Sequence, residues 1–320
     1  KNHPKGDEIM EKNKSLTDLL QKRAELSAKL SLIPYEGSIE IKTRNNNKYI
    51  YLRKKTLNKN SSIYIDKYSD ELFSSISSLL LQAKFLKKEI AKINHQLAVF
   101  GFSELELPPR VVLNVDFAKM NMKSNIYDQA ILEGIATTFP DTETIIDNGK
   151  VNSMKPSDIQ KILNLKHAWQ FVTDKDVVSC SSDYVILCYI ARLVNEGFYL
   201  NGGNIRTLPV SIGGTDYVPP IPNEQTIKTD IDNILNSNKP VIDRAIEVCL
   251  FVMKKQVFND GNKRTSVIFA NHFMIRNGAG LLIIPESKIK EFKQLLINYY
   301  EDKDSGKITE FMKKFCWKTF

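Results

Sequence analysis

The stretch Val257-Phe258-Asn259-Asp260-Gly261-Asn262-Lys263-Arg264-Thr265 constrains this chain most. Upstream of it, Val241, Ile242, Ala245, Val248, Cys249 and Val252 recur at steps of three and four, the spacing of a helix buried along one face. Asn259-Asp260-Gly261-Asn262 breaks that period with residues that favour turns and positive φ. A second apolar run, Val267, Ile268, Ala270, Phe273, Met274 and Ile275, then places Lys263 and Arg264 at the start of another helix. Helix N-termini present unpaired N–H groups and the positive end of the dipole, which suits phosphate. In that position Arg264 can fork onto two phosphate oxygens, Lys263 adds a point charge, and Asp260 can hold the Mg²⁺ that accompanies a nucleotide. The plainer reading is a turn between two core helices with a surface Lys-Arg pair, and composition alone does not separate the two.

The residues themselves do. Phe258, Asp260, Gly261, Asn262, Lys263 and Arg264 match the signature HxFx(D/E)GN(G/K)R, so the segment resembles that of the Fic/Doc (Fido) family. The resemblance extends over nearly all of the chain beyond Pro109. It implies a mainly α domain with a small β-hairpin flap, related to enzymes that transfer AMP from ATP to a hydroxyl of a target protein. It implies further that Gly261, Asn262, Lys263 and Arg264 hold phosphates, that Asp260 holds Mg²⁺, and that Phe258 anchors the loop in the core. Two departures stand out. The family's histidine, the general base, is replaced by Gln256, whose amide can orient a hydroxyl but cannot accept its proton near neutral pH. The second family arginine is Val267. Lys263 in place of glycine resembles the Doc branch, some of whose members move a phosphoryl group. His272 lies eight residues beyond Arg264, about 12 Å along a helix axis, and is a poor substitute base; a core or rim position suits it better.

Two further segments carry the resemblance. Gln129-Ala130-Ile131-Leu132-Glu133-Gly134, closing a helix expected over 125–134, is similar to the inhibitory motif (S/T)xxxE(G/N), with Gln129 at the Ser/Thr position. In the family this glutamate pairs with the second arginine; with Val267 there, Glu133 either pairs elsewhere, with Arg264 as the candidate, or is the vestige of an inhibitory residue. Read structurally, Glu133-Gly134 is a helix C-cap with a surface carboxylate. Between Arg206 and Pro220, Gly213-Gly214 between two β-like runs signals a hairpin. In the family a hairpin here lies over the active site and holds the target by strand addition. That makes Gly213, Gly214, Thr215 and Tyr217 candidate nucleotide or target contacts; the alternative is a surface hairpin with Tyr217 packed on Pro219 and Pro220.

The first hundred residues differ in charge. They hold 19 Lys and Arg against 11 Asp and Glu, whereas residues 101–320 are balanced at 26 each. Leu16, Leu19, Leu26 and Leu30 mark an amphipathic helix, followed by three Ile- and Tyr-rich stretches, 37–43, 48–53 and 61–66, that read as an antiparallel meander. Leu72, Ile76, Leu79, Ala83, Leu86, Ile90, Ile93 and Leu97 then alternate steps of four and three, a coiled-coil seam that pairs either with the first helix or with another chain as a homodimer. Lys42, Arg44, Lys48, Arg53, Lys54, Lys55 and Lys59, interleaved with Tyr49 and Tyr51, form either a nucleic-acid footprint or a lysine-protected edge. The expected organisation is a basic helix, meander and long-helix module over 1–100, a linker over 101–124 with Pro108-Pro109 barring helix, and the Fic-type domain over 125–320.

Cys180, Cys188, Cys249 and Cys316 lie far apart in apolar surroundings, as buried thiols do. No run of 18 apolar residues and no signal-like start appears, so a cytoplasmic protein without a membrane partner is expected. Three functions follow: a transferase of AMP, or of phosphate in the manner of Doc, with Gln256 only orienting; a catalytically silent ATP sensor; and a nucleic-acid-binding regulator with the Fic-type domain as an interaction platform.

Overall fold

The structure is a computed structural model describing residues 6–35, 37–56, 59–99, 107–148, 154–304 and 306–320. It divides into two compact units, Lys1–Glu104 and Leu105–Phe320.

In the first unit, α1 (Gly6–Ser31) is followed by β1 (Ser38–Arg44), β2 (Asn47–Thr56) and β3 (Lys59–Lys67), and then by α2 (Asp70–Val99). The strands form an antiparallel meander in the order β1-β2-β3, with Ile41 opposite Ile50 and Leu52 opposite Ile63. Asn45 and Asn46 turn between β1 and β2 at φ 46° and 58°, left-handed values that asparagine tolerates. One face of the sheet is apolar: Ile50 and Leu52 are buried with Ile76 of α2, and Ile39, Ile65, Leu72 and Phe73 pack around them. Further along α2, the buried positions Ala83, Leu86, Ile93 and Leu97 keep the three-to-four spacing read from the sequence. Helices α1 and α2 pack on each other, with Arg23 Nη1 donating to Asn94 Oδ1 at 2.9 Å.

The second unit is helical. In order it comprises α3 (Pro109–Met120), α4 (Met122–Leu132), α5 (Phe139–Asn148), α6 (Pro156–Val172), α7 (Lys175–Ser179), α8 (Tyr184–Val194), α9 (Glu224–Leu235), α10 (Val241–Lys255) and α11 (Asn262–Arg276). After these come β4 (Leu281–Leu282), α12 (Ile289–Tyr300), α13 (Lys307–Phe315) and β5 (Trp317–Lys318), with β4 and β5 paired antiparallel. The centre is α11, which touches α3, α6, α7, α8 and α10 and is buried at every position but Lys263 and Arg276. The enclosed helix mixes apolar residues, Val267, Ile268, Phe269, Phe273, Met274 and Ile275, with the buried polar residues Asn262, Arg264, Thr265, Ser266, Asn271 and His272, so it carries polar groups into the core as well as packing it.

Two expectations are corrected. Residues 109–120, assigned to a linker, form α3: Pro109 occupies the first helical turn, where a missing N–H costs nothing and its fixed φ suits the helix. The proline pair starts a helix rather than barring one. Residues 101–106 of that linker lie outside the described residues. Residues 206–220 contain no strand, so the flap is an irregular loop. Pro209, Pro219 and Pro220 cannot donate to a ladder. Instead the Arg206 guanidinium gathers the loop's carbonyls, with Nη1 on Leu208 O at 2.8 Å and Nη2 on Pro219 O at 3.1 Å and Pro220 O at 2.6 Å.

Candidate functional site

The site is built where α10 ends and α11 begins. Gln256 terminates α10 in the left-handed region at φ 47°, and Gly261 starts α11 at φ 73°. Gly261 has a second reason to be glycine: a Cβ there would lie 2.8 Å from both Asn195 Oδ1 and Val194 Cγ1. The loop therefore lies directly on the end of α8. Asn195 Nδ2 reinforces this, donating to Asp260 O at 3.0 Å and Gly202 O at 3.1 Å.

Asn262 closes the loop on itself. Its Oδ1 accepts from Phe258 N at 2.9 Å, and its Nδ2 donates to Phe258 O at 2.8 Å and Gln256 Oε1 at 3.1 Å. Phe258 is fully buried beneath. No side chain caps the start of α11, so its first N–H groups are available to an anion. Gln256 faces inward: Nε2 donates to Met253 O at 2.6 Å. Arg206 Nε donates to the carbonyl of Gln256 at 2.5 Å, and the backbone N–H of Arg206 donates to Val257 O at 3.0 Å. Burial pulls the Arg206 guanidinium below its ordinary value, the expected direction for a cation held by neutral carbonyls.

Arg264 is 1% exposed and lies between two carboxylates. Nη2 is 3.2 Å from Asp260 Oδ2 and Nε is 3.3 Å from Glu133 Oε2, while Nη1 donates to Val194 O at 3.2 Å. The contact with Glu133 is a charge pair without an aligned hydrogen bond, since Arg264 Nε and Glu133 Oε1 are both buried without hydrogen-bond partners. Thr265 Oγ1 and Asn195 Oδ1 are likewise unpartnered, so four under-satisfied polar atoms belong to this loop and its immediate supports. Glu133 reaches the site from the C-cap of α4, and Gly134 follows at φ 80°, with its N–H on Ile131 O. Gln129, one turn earlier, donates to Arg264 O at 2.8 Å and accepts from Trp169 Nε1 at 3.1 Å. Trp169 is thus core filler that also fixes α4 against α11.

Asp260 is the metal candidate. Its side chain is 46% exposed, and among the described residues no group of three His, Cys, Asp or Glu could hold a metal alone. A single exposed carboxylate fits Mg²⁺, which takes one or two carboxylates and completes its shell with phosphates and water.

The other sequence candidates fall in two groups. Thr215 and Tyr217 pack on the end of α12: Thr215 Oγ1 donates to Glu301 Oε1 at 2.8 Å, and Tyr217 stacks on Tyr300 at 6.2 Å. Lys254 Nζ sits 5.2 Å from the Tyr217 ring and 5.1 Å from that of Tyr299. Gly213 and Gly214 are exposed, with open space around Gly213. In the first unit, Lys42 Nζ lies over Tyr51 at 4.5 Å and Lys48 Nζ over Tyr68 at 5.9 Å, Arg44 and Arg53 are exposed, and the side chains of Lys54, Lys55 and Lys59 lie outside the described residues.

His272 is a core residue. It is fully buried, with Nε2 donating to Val177 O at 2.8 Å and Nδ1 accepting from Ser182 Oγ at 2.8 Å, and burial pushes it down to about 4. The four cysteines are unpaired, and burial pushes the thiols of Cys249 and Cys316 up to about 12. Arg206 is the residue the sequence reading missed; an arginine directly before a Pro-rich loop was its only trace.

Residues 182–274 match the model of the Fic/DOC family. Residues 14–74 match a domain of unknown function, DUF6788. Among curated proteins, the chain is similar to Protein adenylyltransferase Fic of Aedes aegypti, at 25% identity over 245 residues, covering 71% of this chain and 48% of that protein. The chain thus spans about half the length of that relative. Solved structures similar to it include Fic-1 from C. elegans, at 18% identity and a TM-score of 0.48 over 74% of this chain and 77% of that one. Another is a Fic domain containing signaling protein from Bacteroides thetaiotaomicron, at 14% identity and a TM-score of 0.49 over 65% and 86%. Among the described residues no helix is long and apolar enough to cross a membrane.

Proposed function

We propose that the second unit binds ATP at the loop 257–264, as a relative of protein adenylyltransferases whose own transfer chemistry is slowed by Gln256. The observation that carries the reading is Arg264, a buried guanidinium held by two carboxylates at the uncapped start of a helix. Phosphate oxygens would replace the Glu133 contact with aligned, charge-assisted hydrogen bonds, which the present pair lacks. Asn262 keeps the loop in shape, Lys263 adds charge at its rim, and Asp260 holds the Mg²⁺ that neutralises the phosphates. Val267 is buried and apolar, so Glu133 is left to compete for Arg264 itself.

No base stands ready for a target hydroxyl. Gln256 spends its amide on Met253 and Asn262, and His272 is enclosed on α11. Loss of a general base costs roughly 10²- to 10⁴-fold in rate. The protein therefore acts as a nucleotide-responsive module with weak or no transfer, and transfer of AMP is favoured over that of phosphate by the curated relative.

Thermal melting with a panel of nucleotides and Mg²⁺ tests this. A ligand at 100 times its Kd stabilises by about 2.7 kcal/mol, a shift of several degrees. ATP shifting the wild type but not Arg264→Ala is the expected result. No shift with any nucleotide in the wild type or in Glu133→Ala overturns it.

A further inference from the structure

The sheet of the first unit has a second face that the core does not use. Ile39, Ile50, Leu52 and Ile65 turn toward α2, so alternation sends Lys42, Arg44, Tyr49, Tyr51, Arg53 and Tyr64 to the other side. The three tyrosines meet there. Tyr51 stands opposite Tyr64 in register, its ring edge-on at 5.5 Å, and Tyr49 lies 6.2 Å from Tyr64. Tyr64 is 52% exposed.

The cations border these rings. Lys42 Nζ lies 4.5 Å over Tyr51, and Arg44 and Arg53 are exposed at either end of the tyrosine row. Glu40 shares the face but is already engaged, with Lys42 at 3.4 Å and with Ser62 Oγ at 3.0 Å. Residues 37–67 hold eight Lys and Arg against two Asp and Glu, so the surface is complementary to a polyanion. Lysines alone would suffice to protect a sheet from aggregation. Clustered aromatics among them, Tyr64 exposed and Tyr49 and Tyr51 half-buried, add a stacking surface.

We propose that this face binds single-stranded nucleic acid, with bases stacked on Tyr49, Tyr51 and Tyr64 and phosphates held by Lys42, Arg44 and Arg53. A duplex hides its base faces and cannot use the tyrosines. Stacking and phosphate contacts do not read the 2′ position, so DNA and RNA strands are equivalent ligands here.

The test is fluorescence anisotropy of the full chain with a labelled oligothymidylate of about 15 nucleotides, a matched oligouridylate and a duplex of equal length. Three phosphate contacts on a single strand give a log–log salt slope of about −2.1, roughly a twenty-fold loss between 50 and 200 mM salt. Both single strands bind alike and more tightly than the duplex. Tyr49→Ser with Tyr64→Ser weakens binding by about tenfold or more, while the paired Phe substitutions keep it. Arg44→Glu with Arg53→Glu weakens binding and flattens the salt slope. The proposal is overturned by absence of binding at 50 mM salt, by equal affinity for duplex, or by indifference to the tyrosine substitutions in variants whose circular dichroism is unchanged. It is equally overturned if the chain is a dimer that the serine pair dissociates, since a second copy would then cover the face.

Discussion

Arg206 and Arg264 are each 1% exposed, yet their partners differ in kind. Arg206 is surrounded by carbonyls, those of Gln256, Leu208, Pro219 and Pro220, and meets no carboxylate among the described residues. Arg264 faces Asp260 and Glu133. A guanidinium spread over neutral backbone is committed, because any anion that drew it away would leave several buried carbonyls unpaired. One that faces carboxylates already serves anions and can exchange one for another. Burial alone therefore does not mark a functional arginine; the charge of its partners does.

Residue 256 lies between Arg206 and the loop that carries Arg264, and the largest effect is expected there. Arg206 fixes its carbonyl and Asn262 its side chain, so Gln256→His introduces a base into a position that is already held. Transfer of label from ATP to protein should rise by roughly 10²- to 10⁴-fold. An unchanged rate would mean that the committed arginine holds residue 256 away from the chemistry.

Stability separates the pair next. Arg206→Ala should cost about 1–3 kcal/mol in denaturant unfolding for each buried carbonyl it leaves unpaired. Arg264→Ala should cost about 3–5 kcal/mol by leaving Glu133 without its counter-charge, a loss that Glu133→Ala in the same chain should relieve, and should abolish the response to ATP. An Arg206→Ala loss that Glu133→Ala relieves equally would erase the distinction drawn between them.

His272 extends the comparison to a committed neutral group on the same helix as Arg264. Its folded value of about 4 lies below that of an unfolded histidine, so the native state binds fewer protons between the two. The stability it contributes is complete above pH 6.5 and falls as pH drops toward 4, by about 3 kcal/mol in all. Melting over that range should show the slope in the wild type and lose it in His272→Gln.

The smallest effect belongs to the exchangeable partner. Glu133→Ala should tighten ATP binding by about tenfold, equivalent to about 1.4 kcal/mol, read by titration of the melting shift. Looser binding would assign Glu133 to supporting the loop rather than competing for it.

Much of this was legible in the sequence because local rules coincide there. The helices α10 and α11 follow their apolar period, the meander its alternation, and Gly261 its turn. Other parts were settled by contacts between residues far apart. The loop 206–220 carries a Gly-Gly hairpin signal, but Arg206 and three prolines override it, and no local rule weighs a guanidinium against a strand ladder. Pro108-Pro109 reads as a break, yet proline also suits a first helical turn, and α3 starts there and packs on α11. Glu133 could be placed by its motif, whereas the misaligned geometry of its pair with Arg264 depends on two helices whose separation the sequence does not state.

Trp169 gives the molecule an optical readout. The chain has two tryptophans, and only Trp317 is substantially exposed. Trp169 has no exposed surface, and its indole N–H ends on Gln129, whose amide holds the carbonyl of Arg264. Its emission is therefore the blue component of the spectrum, beyond the reach of aqueous quenchers that dim Trp317. Any event that draws Gln129 of α4 away from Trp169 breaks the indole's hydrogen bond and changes that colour, so movement of α4 can be followed by light without a label.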